Sequence, residues 1–383
     1  MLLGGGRVIS PGTATIVGAF NTKQARVLPD ETSYTITLKA IQGALADAGL
    51  SLSDVDGLNV LPGLDYRNGS NAFGYALGIP WFWIGTGAPG PAAVAEAALA
   101  IESGMCTTVV LASGQAQVHT DKDSVAPWTR PDNEFVEAWG LMMPAEFALA
   151  AREYMHRFSV TQEQISYVAS VIRNNGHRNP EAVYYGRGPF TIEDIIASRM
   201  IADPYHLLDC CTTGEGGSAL VLTTAERARD LPNRGVRVLG GGWDSWGPSY
   251  TNPPTYDRVA DWGKMAGEAA FRRSGLARED IDVYELYDNF SWEIIRYFEA
   301  LGYCKPGEGA DLVADGAIEV GGKYPIVTDG GTMSHSHTGE SQRIQRVVQA
   351  VRQLRGTSAA NQVVGAETAL VAQIGDVVVL GAD

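Results

Sequence analysis

Gly49–Asp56, GLSLSDVD, returns later in the chain as Gly275–Asp282, GLAREDID. Each copy follows a stretch with helical apolar spacing and precedes an apolar strand-like run. Eight positions are few, and a common helix–turn–strand idiom can produce such a match. The equal context on both sides makes duplication the better reading. The chain is therefore read as two similar α/β halves, residues 1–230 and 231–383.

The first half alternates in the way that reading requires. Thr13–Phe20, TATIVGAF, reads as a buried strand. Ser33–Gly49 carries Leu38, Ile41, Leu45 and Ala48 on one helical face. Val55–Pro62 is a second strand, Gly87–Gly104 an Ala-rich helix, and Thr107–Gly114 a third strand. Strands and helices alternating on this scale imply a sheet covered by helices. From about 115 to 206 the rhythm breaks into a segment rich in Trp, Pro and Asn, with helices near Pro144–Arg157 and Thr161–Asn174. It reads as an insertion over one end of the sheet, and long excursions of this kind usually serve binding. The sheet resumes at Gly217–Thr224. In the second half, Val236–Gly241 is a strand, Val259–Ser274 a helix, Asp282–Leu286 a strand and Trp292–Leu301 a helix. Thr368–Gln373 and Gly375–Gly381 close the chain as two strands.

The remaining stretch, Thr328–Gly356, TDGGTMSHSHTGESQRIQRVVQAVRQLRG, holds the candidate chemistry. Ile344, Val347, Val348, Val351 and Leu354 recur at helical spacing, so one face of this helix is buried. Thr338 or Gly339 can cap its start, and Gly356 ends it. His337 then sits before a helix N-terminus, where the dipole disfavours imidazolium and a neutral ring is expected. His335 has no such helix-end rationale, which favours a structural role. Two histidines this close also suggest half a metal site, but no third ligand of suitable spacing is visible.

The composition sets limits. The 383 residues are 45% hydrophobic and 19% charged, as in ordinary globular proteins. A formal charge of −15 argues against a nucleic-acid or anionic-membrane surface. No apolar run reaches membrane-spanning length, the start MLLGGGRVISPG shows no signal-peptide core, and the cytoplasm is the expected location. Cys106, Cys210, Cys211 and Cys304 have no metal or disulfide spacing.

The chain resembles the thiolase superfamily over essentially its whole length. The repeat, Ser218–Leu231 (SALVLTTAERARDL) and the Thr328–Gly356 stretch carry the likeness. Within the superfamily it is most similar to the sterol-carrier-protein-x and lipid-transfer-type branch, through Thr191–Cys211 (TIEDIIASRMIADPYHLLDCC), Tyr284–Gly309 (YELYDNFSWEIIRYFEALGYCKPGEG) and Val351–Thr357 (VRQLRGT). The resemblance implies a thiolase fold, two duplicated α/β halves in layers with an inserted loop domain. It also implies a homodimer and a CoA thioester as substrate, with no bound cofactor and no metal. Related aldolases and acyltransferases work beside a small OB-fold protein with a zinc ribbon, and such a partner is expected here.

The departures bear on function. Thiolases attack with a cysteine at the start of the helix placed here at Gly87, and the nucleophile position reads as Gly87 itself. Their second cysteine falls in Ala366–Asp376, AETALVAQIGD, where there is none. Covalent thiolysis needs a thiolate at that one place. The family histidine that polarises the thioester carbonyl matches His337, between Ser336 and Thr338. The family's Asn-Glu-Ala-Phe element matches Tyr287-Asp288-Asn289-Phe290, and the lipid-transfer-type aldolases use a tyrosine at the place of Tyr287. Their second catalytic tyrosine lies in the central stretch, whereas Thr328–Gly356 contains none, so His337 or His335 is expected to take that role. Asp288 is expected as a cap or orienting carboxylate. Asn289 and the turn Gly330-Gly331 are expected beside the substrate.

The resemblance, with these departures, thus implies retro-aldol cleavage of a 3-hydroxyacyl-CoA with a sterol-like side chain. That reaction needs a base, an oxyanion hole and an acid, and no covalent nucleophile. The alternatives are a thiolase or acyltransferase using another thiol, and a non-catalytic thiolase-like subunit that binds acyl-CoA.

Overall fold

The computed structural model describes residues 14–62, 69–78, 81–85, 90–117, 143–244 and 255–383. A first pass of elements runs β1 (Ala14–Asn21), α1 (Ser33–Ala48), β2 (Gly57–Pro62), β3 (Trp83–Ile84), α2 (Pro91–Glu102), β4 (Thr108–Gln115), α3 (Met143–Phe158), α4 (Gln162–Arg178) and β5 (Gly216–Thr224). The second pass is β6 (Val236–Trp243), α5 (Lys264–Ser274), β7 (Val283–Leu286), α6 (Ser291–Ala300), α7 (Ser341–Arg355), β8 (Thr368–Gln373) and β9 (Asp376–Ala382).

Among the described residues nine strands form one mixed sheet, ordered β3-β2-β4-β5-β1-β6-β9-β8-β7. Read outward from the β1–β6 junction, both sides follow the same plan. The first strand pairs antiparallel with the last of its half, that strand pairs antiparallel with the one before it, and the next neighbour is parallel. The junction itself is the short antiparallel pairing of Thr15 with Arg237 and Ile16 with Val236. α1 covers β1, β4 and β5 on one outer face, and α5 covers β6 and β9 on the other. α2 and α7 touch strands of both halves and so form a helical layer between them. The cores follow these layers: Ile41, Leu45 and Val55 lie under α1, and Val94, Ile101, Ile344, Val348 and Val351 fill the middle. Trp292 and Phe298 share a core with Tyr154 and Ile172 of the insertion. Each such aliphatic side chain, once buried, contributes roughly 1.5–3 kcal/mol.

The repeated octet is structurally the same in both halves, residue by residue. Gly49 and Gly275 end α1 and α5 in the left-handed region, at φ 69° and 72°, where glycine alone is unstrained. Asp54 then accepts from the Ser51 N–H at 2.8 Å, and Asp280 from the Ala277 N–H at 2.7 Å. Asp56 accepts from the Thr107 and Thr108 N–H groups, at 2.9 and 2.7 Å, and so pins the start of β4. Asp282 does the same at the start of β8, accepting from Glu367 and Thr368 at 2.9 and 3.0 Å. The octet survives because each half needs its carboxylates to dock a parallel strand.

Three expectations change. The helix expected over Val259–Ser274 is interrupted: Tyr256–Val259 is a separate turn, and α5 begins after Gly263 at φ 91°. Asp244 draws the chain in there, accepting from the N–H groups of Gly263 and Ala266. α2 starts at Pro91 rather than Gly87, because proline suits the first helical position. α7 starts at Ser341 with Glu340 as its cap, not Thr338 or Gly339. Gly87 and residues 118–142 of the insertion lie outside the described residues.

Candidate active site

The carboxyl ends of parallel strands are where α/β sheets gather ligands, and the Tyr287-Asp288-Asn289-Phe290 element sits at such an end. It follows β7 and leads into α6. The Tyr287 N–H extends the β7–β8 ladder by donating to the Ala372 carbonyl at 2.9 Å. The stretch after Thr328 approaches the same place. Gly331–His335 forms a wide helical turn, capped by the Asp288 carboxylate. Asp288 accepts from the Thr332 N–H and hydroxyl at 2.8 and 3.0 Å and from the Met333 N–H at 3.0 Å. Burial pushes the Asp288 carboxyl upward against the pull of Arg346 and these bonds.

The two glycines of this turn have packing reasons. A Cβ on Gly331 would lie 2.2 Å from the Asp288 carboxylate, and one on Gly330 would lie 2.4 Å from Gly176 of α4. Asn289 is buried and turned back on the chain: its Oδ1 accepts from Phe290 N–H at 3.1 Å, and its carbonyl accepts from Cys211 N–H at 2.8 Å.

His337 meets Tyr287. The phenol oxygen lies 3.3 Å from His337 Nε2, and the ring centroids are 6.3 Å apart. The backbone of His337 is set by a bridge to Thr213: its N–H donates to the Thr212 carbonyl, and its carbonyl accepts from the Gly214 N–H, both at 2.9 Å. Cys210–Glu215 is therefore the strip that sets the site's register. It bridges Phe290 through Cys210, Asn289 through Cys211 and Thr332 through Thr212 before reaching His337. Because α7 begins only at Ser341, His337 lies beyond the first turn, where a helix dipole acts weakly. The bridge, not the helix start, places this histidine.

His335 goes elsewhere. It is fully buried, and its Nδ1 lies 2.7 Å from Asp329 Oδ2. Arg346 of α7 holds Asp329 with contacts of 2.6 and 2.7 Å and reaches Glu285 Oε2 at 3.1 Å. Glu285 also accepts from the Thr328 N–H and hydroxyl, at 3.0 and 2.6 Å. One guanidinium thus faces three buried carboxyls, Asp329, Glu285 and Asp288. Not all three can be ionised at modest cost. Asp329 resists burial through Arg346 and His335, which hold it far below the usual range. Burial dominates at Glu285 and pushes it up to about 8. Just before this cage, Val327 is held at φ 42°, a region costly for a β-branched residue.

The helix start that the resemblance assigned to the nucleophile is occupied by acid. The Asp376 carboxylate accepts from the Ala92 N–H in the first turn of α2 and lies 3.0 Å from Arg343. Burial opposes the Arg343 charge, but Glu340, Asp376 and Tyr287 more than offset that, so its pKa is raised. A guanidinium therefore stands within electrostatic reach of Tyr287. Burial also pushes the Cys106, Cys211 and Cys304 thiols up to about 12, and Cys210 further. None of the four offers appreciable thiolate near neutral pH.

Sequence reasoning brought Tyr287, His337 and Asp288 to one place but read Cys210 and Cys211 as no more than small buried residues, and it did not single out Thr212–Glu215, Arg343 or Gln373. Arg343 sits on a helix and Gln373 at a strand end, and neither spacing nor composition marks them. Among the described residues no group of three His, Cys, Asp or Glu side chains is arranged to hold a metal ion.

Comparison with known proteins gives one family match and several full-length relatives. Residues 255–380 match the model of the thiolase C-terminal domain-like family. The chain is 37% identical over 378 residues to the 17-hydroxy-3-oxo-4-pregnene-20-carboxyl-CoA lyase of Mycobacterium tuberculosis, covering 94% of this chain and 96% of that one. It is 34% identical over 373 residues to the steroid side-chain-cleaving aldolase of Thermomonospora curvata, covering 91% and 92%. The solved Ltp2-ChsH2(DUF35) aldolase superposes with a TM-score of 0.83 at 32% identity, over 98% of this chain and 99% of that one.

Proposed function

Because the chain belongs to the thiolase superfamily, in its sterol-carrier-protein-type branch with the steroid side-chain aldolases, we propose that it cleaves a 3-hydroxyacyl-CoA by a retro-aldol reaction. It is an acyl-CoA carbon–carbon lyase, and its substrate carries a steroid or similar side chain, as the names of its relatives indicate. The carrying observation is the Tyr287–His337 pair, 3.3 Å apart at the end of a parallel strand, in a chain whose thiols are all suppressed.

The chemistry balances without a covalent intermediate. A base takes the proton of the substrate's 3-hydroxyl, and the oxygen's electrons form the released carbonyl. The bond between C2 and C3 breaks, its pair becomes the enolate of the thioester, and a proton returned to C2 completes the acyl-CoA product. We assign the base to Tyr287, whose proton moves to His337 Nε2 when that nitrogen is unprotonated. His337 and nearby backbone N–H groups are assigned to the thioester oxygen, where one well-placed donor is worth about 2.7–4 kcal/mol. Asp288 orients the turn that carries the histidines. The expected role of His335 as a second catalytic group is replaced by that of holding Asp329. Asn289, Gly330 and Gly331 shape the floor, and Gly87 remains a proposed substrate contact.

We further propose a homodimer and a small OB-fold, zinc-ribbon partner beside it. The partner named in the Ltp2-ChsH2(DUF35) aldolase supports this, as does the acidic chain with its formal charge of −15, which offers little attraction to CoA phosphates. The two halves are divided near residue 230. Among the described residues no helix is long and apolar enough to cross a membrane, and we place the reaction in the cytoplasm.

The test is turnover of 3-hydroxyacyl-CoA substrates by the chain with its partner, for wild type, Tyr287→Phe and His337→Ala. Carbonyl release that falls roughly 10²–10⁴-fold in Tyr287→Phe supports the assignment. Tight acyl-CoA binding with no cleavage by wild type would leave a binding subunit as the better account.

A further inference from the structure

Gln373 ends β8 where Tyr287 follows β7. The two strands run parallel with Ala372 opposite Leu286, and the Tyr287 N–H bond to Ala372 carries the ladder one step further. Gln373 and Tyr287 are therefore register neighbours, and such neighbours point to one face of the sheet. That face is the α7 side, since Glu285 reaches Arg346 of α7 and Tyr287 reaches His337. Neighbouring strands lie roughly 4.7–4.9 Å apart, so the Gln373 and Tyr287 side chains leave adjacent backbone positions on that face.

Gln373 is 1% exposed, and its buried Oε1 has no hydrogen-bond partner among the described residues. A buried acceptor left unpaired costs stability, whereas an apolar side chain of equal size would fill the same space without that cost. The chain beyond it is also held against preference. Ile374 is β-branched yet sits at φ 49°, fixed by its N–H bond to the Tyr297 hydroxyl and by the Asp244 N–H on the Gly375 carbonyl. Ile374 and Gly375 form the two-residue turn between the paired Gln373 and Asp376, and that turn geometry calls for the positive φ. Depth orders the three side chains: His337 is partly exposed, Tyr287 is 5% exposed, and Gln373 lies deepest.

We infer that Gln373 contacts the substrate, its Oε1 accepting a hydrogen bond from a donor on the bound CoA thioester. That donor is either a hydroxyl of the acyl chain or the pantetheine amide N–H nearest the sulfur. The inference rests on the acyl-CoA lyase reading. Acceptance by Gln373 holds the thioester against the Tyr287 ring in one orientation, which makes the residue a determinant of which acyl-CoA binds.

The experiment measures KM for a 3-hydroxyacyl-CoA and the inhibition constant of the saturated acyl-CoA of equal length. Wild type, Gln373→Met and Gln373→Glu are compared, each with its melting temperature. Gln373→Met is expected to melt no lower than wild type, because it removes an orphaned acceptor. It is expected to weaken the hydroxyacyl-CoA roughly ten-fold, and Gln373→Glu, which keeps an acceptor oxygen, to restore part of this. Weakening of the hydroxyacyl-CoA alone assigns the hydroxyl, and equal weakening of both ligands assigns the pantetheine amide. Gln373→Met with unchanged constants for both ligands overturns the inference, as does one that melts several degrees lower with unchanged constants. Wild type that neither cleaves nor binds either ligand defeats the lyase reading and this inference with it.

Discussion

His335 and His337 are separated by one residue and lie in unlike surroundings. His335 is sealed in a cage with Asp329, Arg346 and Glu285, while His337 is partly exposed and faces a phenol. The backbone explains the split. His335 still belongs to the helical turn, whereas Ser336 is extended and His337 is bridged to Thr213, so the two side chains leave different backbone conformations. One then faces α7 and the interior, and the other faces the carboxyl ends of β7 and β8. The cage uses charge to hold the central stretch on the helical layer; the pair is the contact to which we assign the chemistry. Stability and activity should therefore separate cleanly between the two histidines.

Four results would break or sharpen that contrast. The largest concerns the cage: Arg346→Met leaves Asp329 without its counter-charge, and losing one partner of a buried pair costs about 3–5 kcal/mol. A large fall in unfolding free energy is expected, read by denaturant titration, and an unchanged value would deny the cage its role. On the other side, His337→Ala should lower kcat/KM by roughly 10²–10³-fold, the scale of one lost oxyanion donor, with the melting curve nearly unmoved. Equal damage to stability would make it a second structural histidine.

His335→Gln comes next. It removes the ring bonded to Asp329 and should cost about 1–3 kcal/mol of stability while leaving kcat within several-fold of wild type. A collapse of kcat at full stability would return His335 to the chemistry. The smallest effect is in pH. Glu285 is pushed up to about 8 from an ordinary 4.5, so the folded chain keeps a proton that the unfolded chain loses. Its contribution is full below the ordinary value and disappears as pH rises through about 8. The decline in melting temperature from about pH 6 to 8 should be shallower in Glu285→Gln. Asp329, held low, contributes in the opposite sense, losing stability only in acid.

The repeated octet made the two-half layout legible from residues alone. Its glycines close helices and its aspartates dock strands in both halves, so the same local physics left the same letters. Helical spacing located the apolar face of α7, but not that Gln342, Gln345, Arg346, Gln349 and Gln353 on its other sides are buried as well, because the helix lies between strands of both halves. The break at Gly263 was not legible, since Asp244 enforces it from another segment.

The candidate site divides the same way. The sequence by itself determined that a histidine, a tyrosine and an acid stand near element ends, that no cysteine occupies the family's attacking positions, and that the chain is duplicated. Tertiary structure decided which histidine meets the tyrosine, that Asp288 caps a turn 44 residues onward, and that Gln373 follows in register with Tyr287. Those facts depend on strand register and on the Cys210–Glu215 strip that threads between the two segments. Register is set by backbone pairing between distant segments, and a local pattern of side chains records which face is buried but not which residue lies opposite.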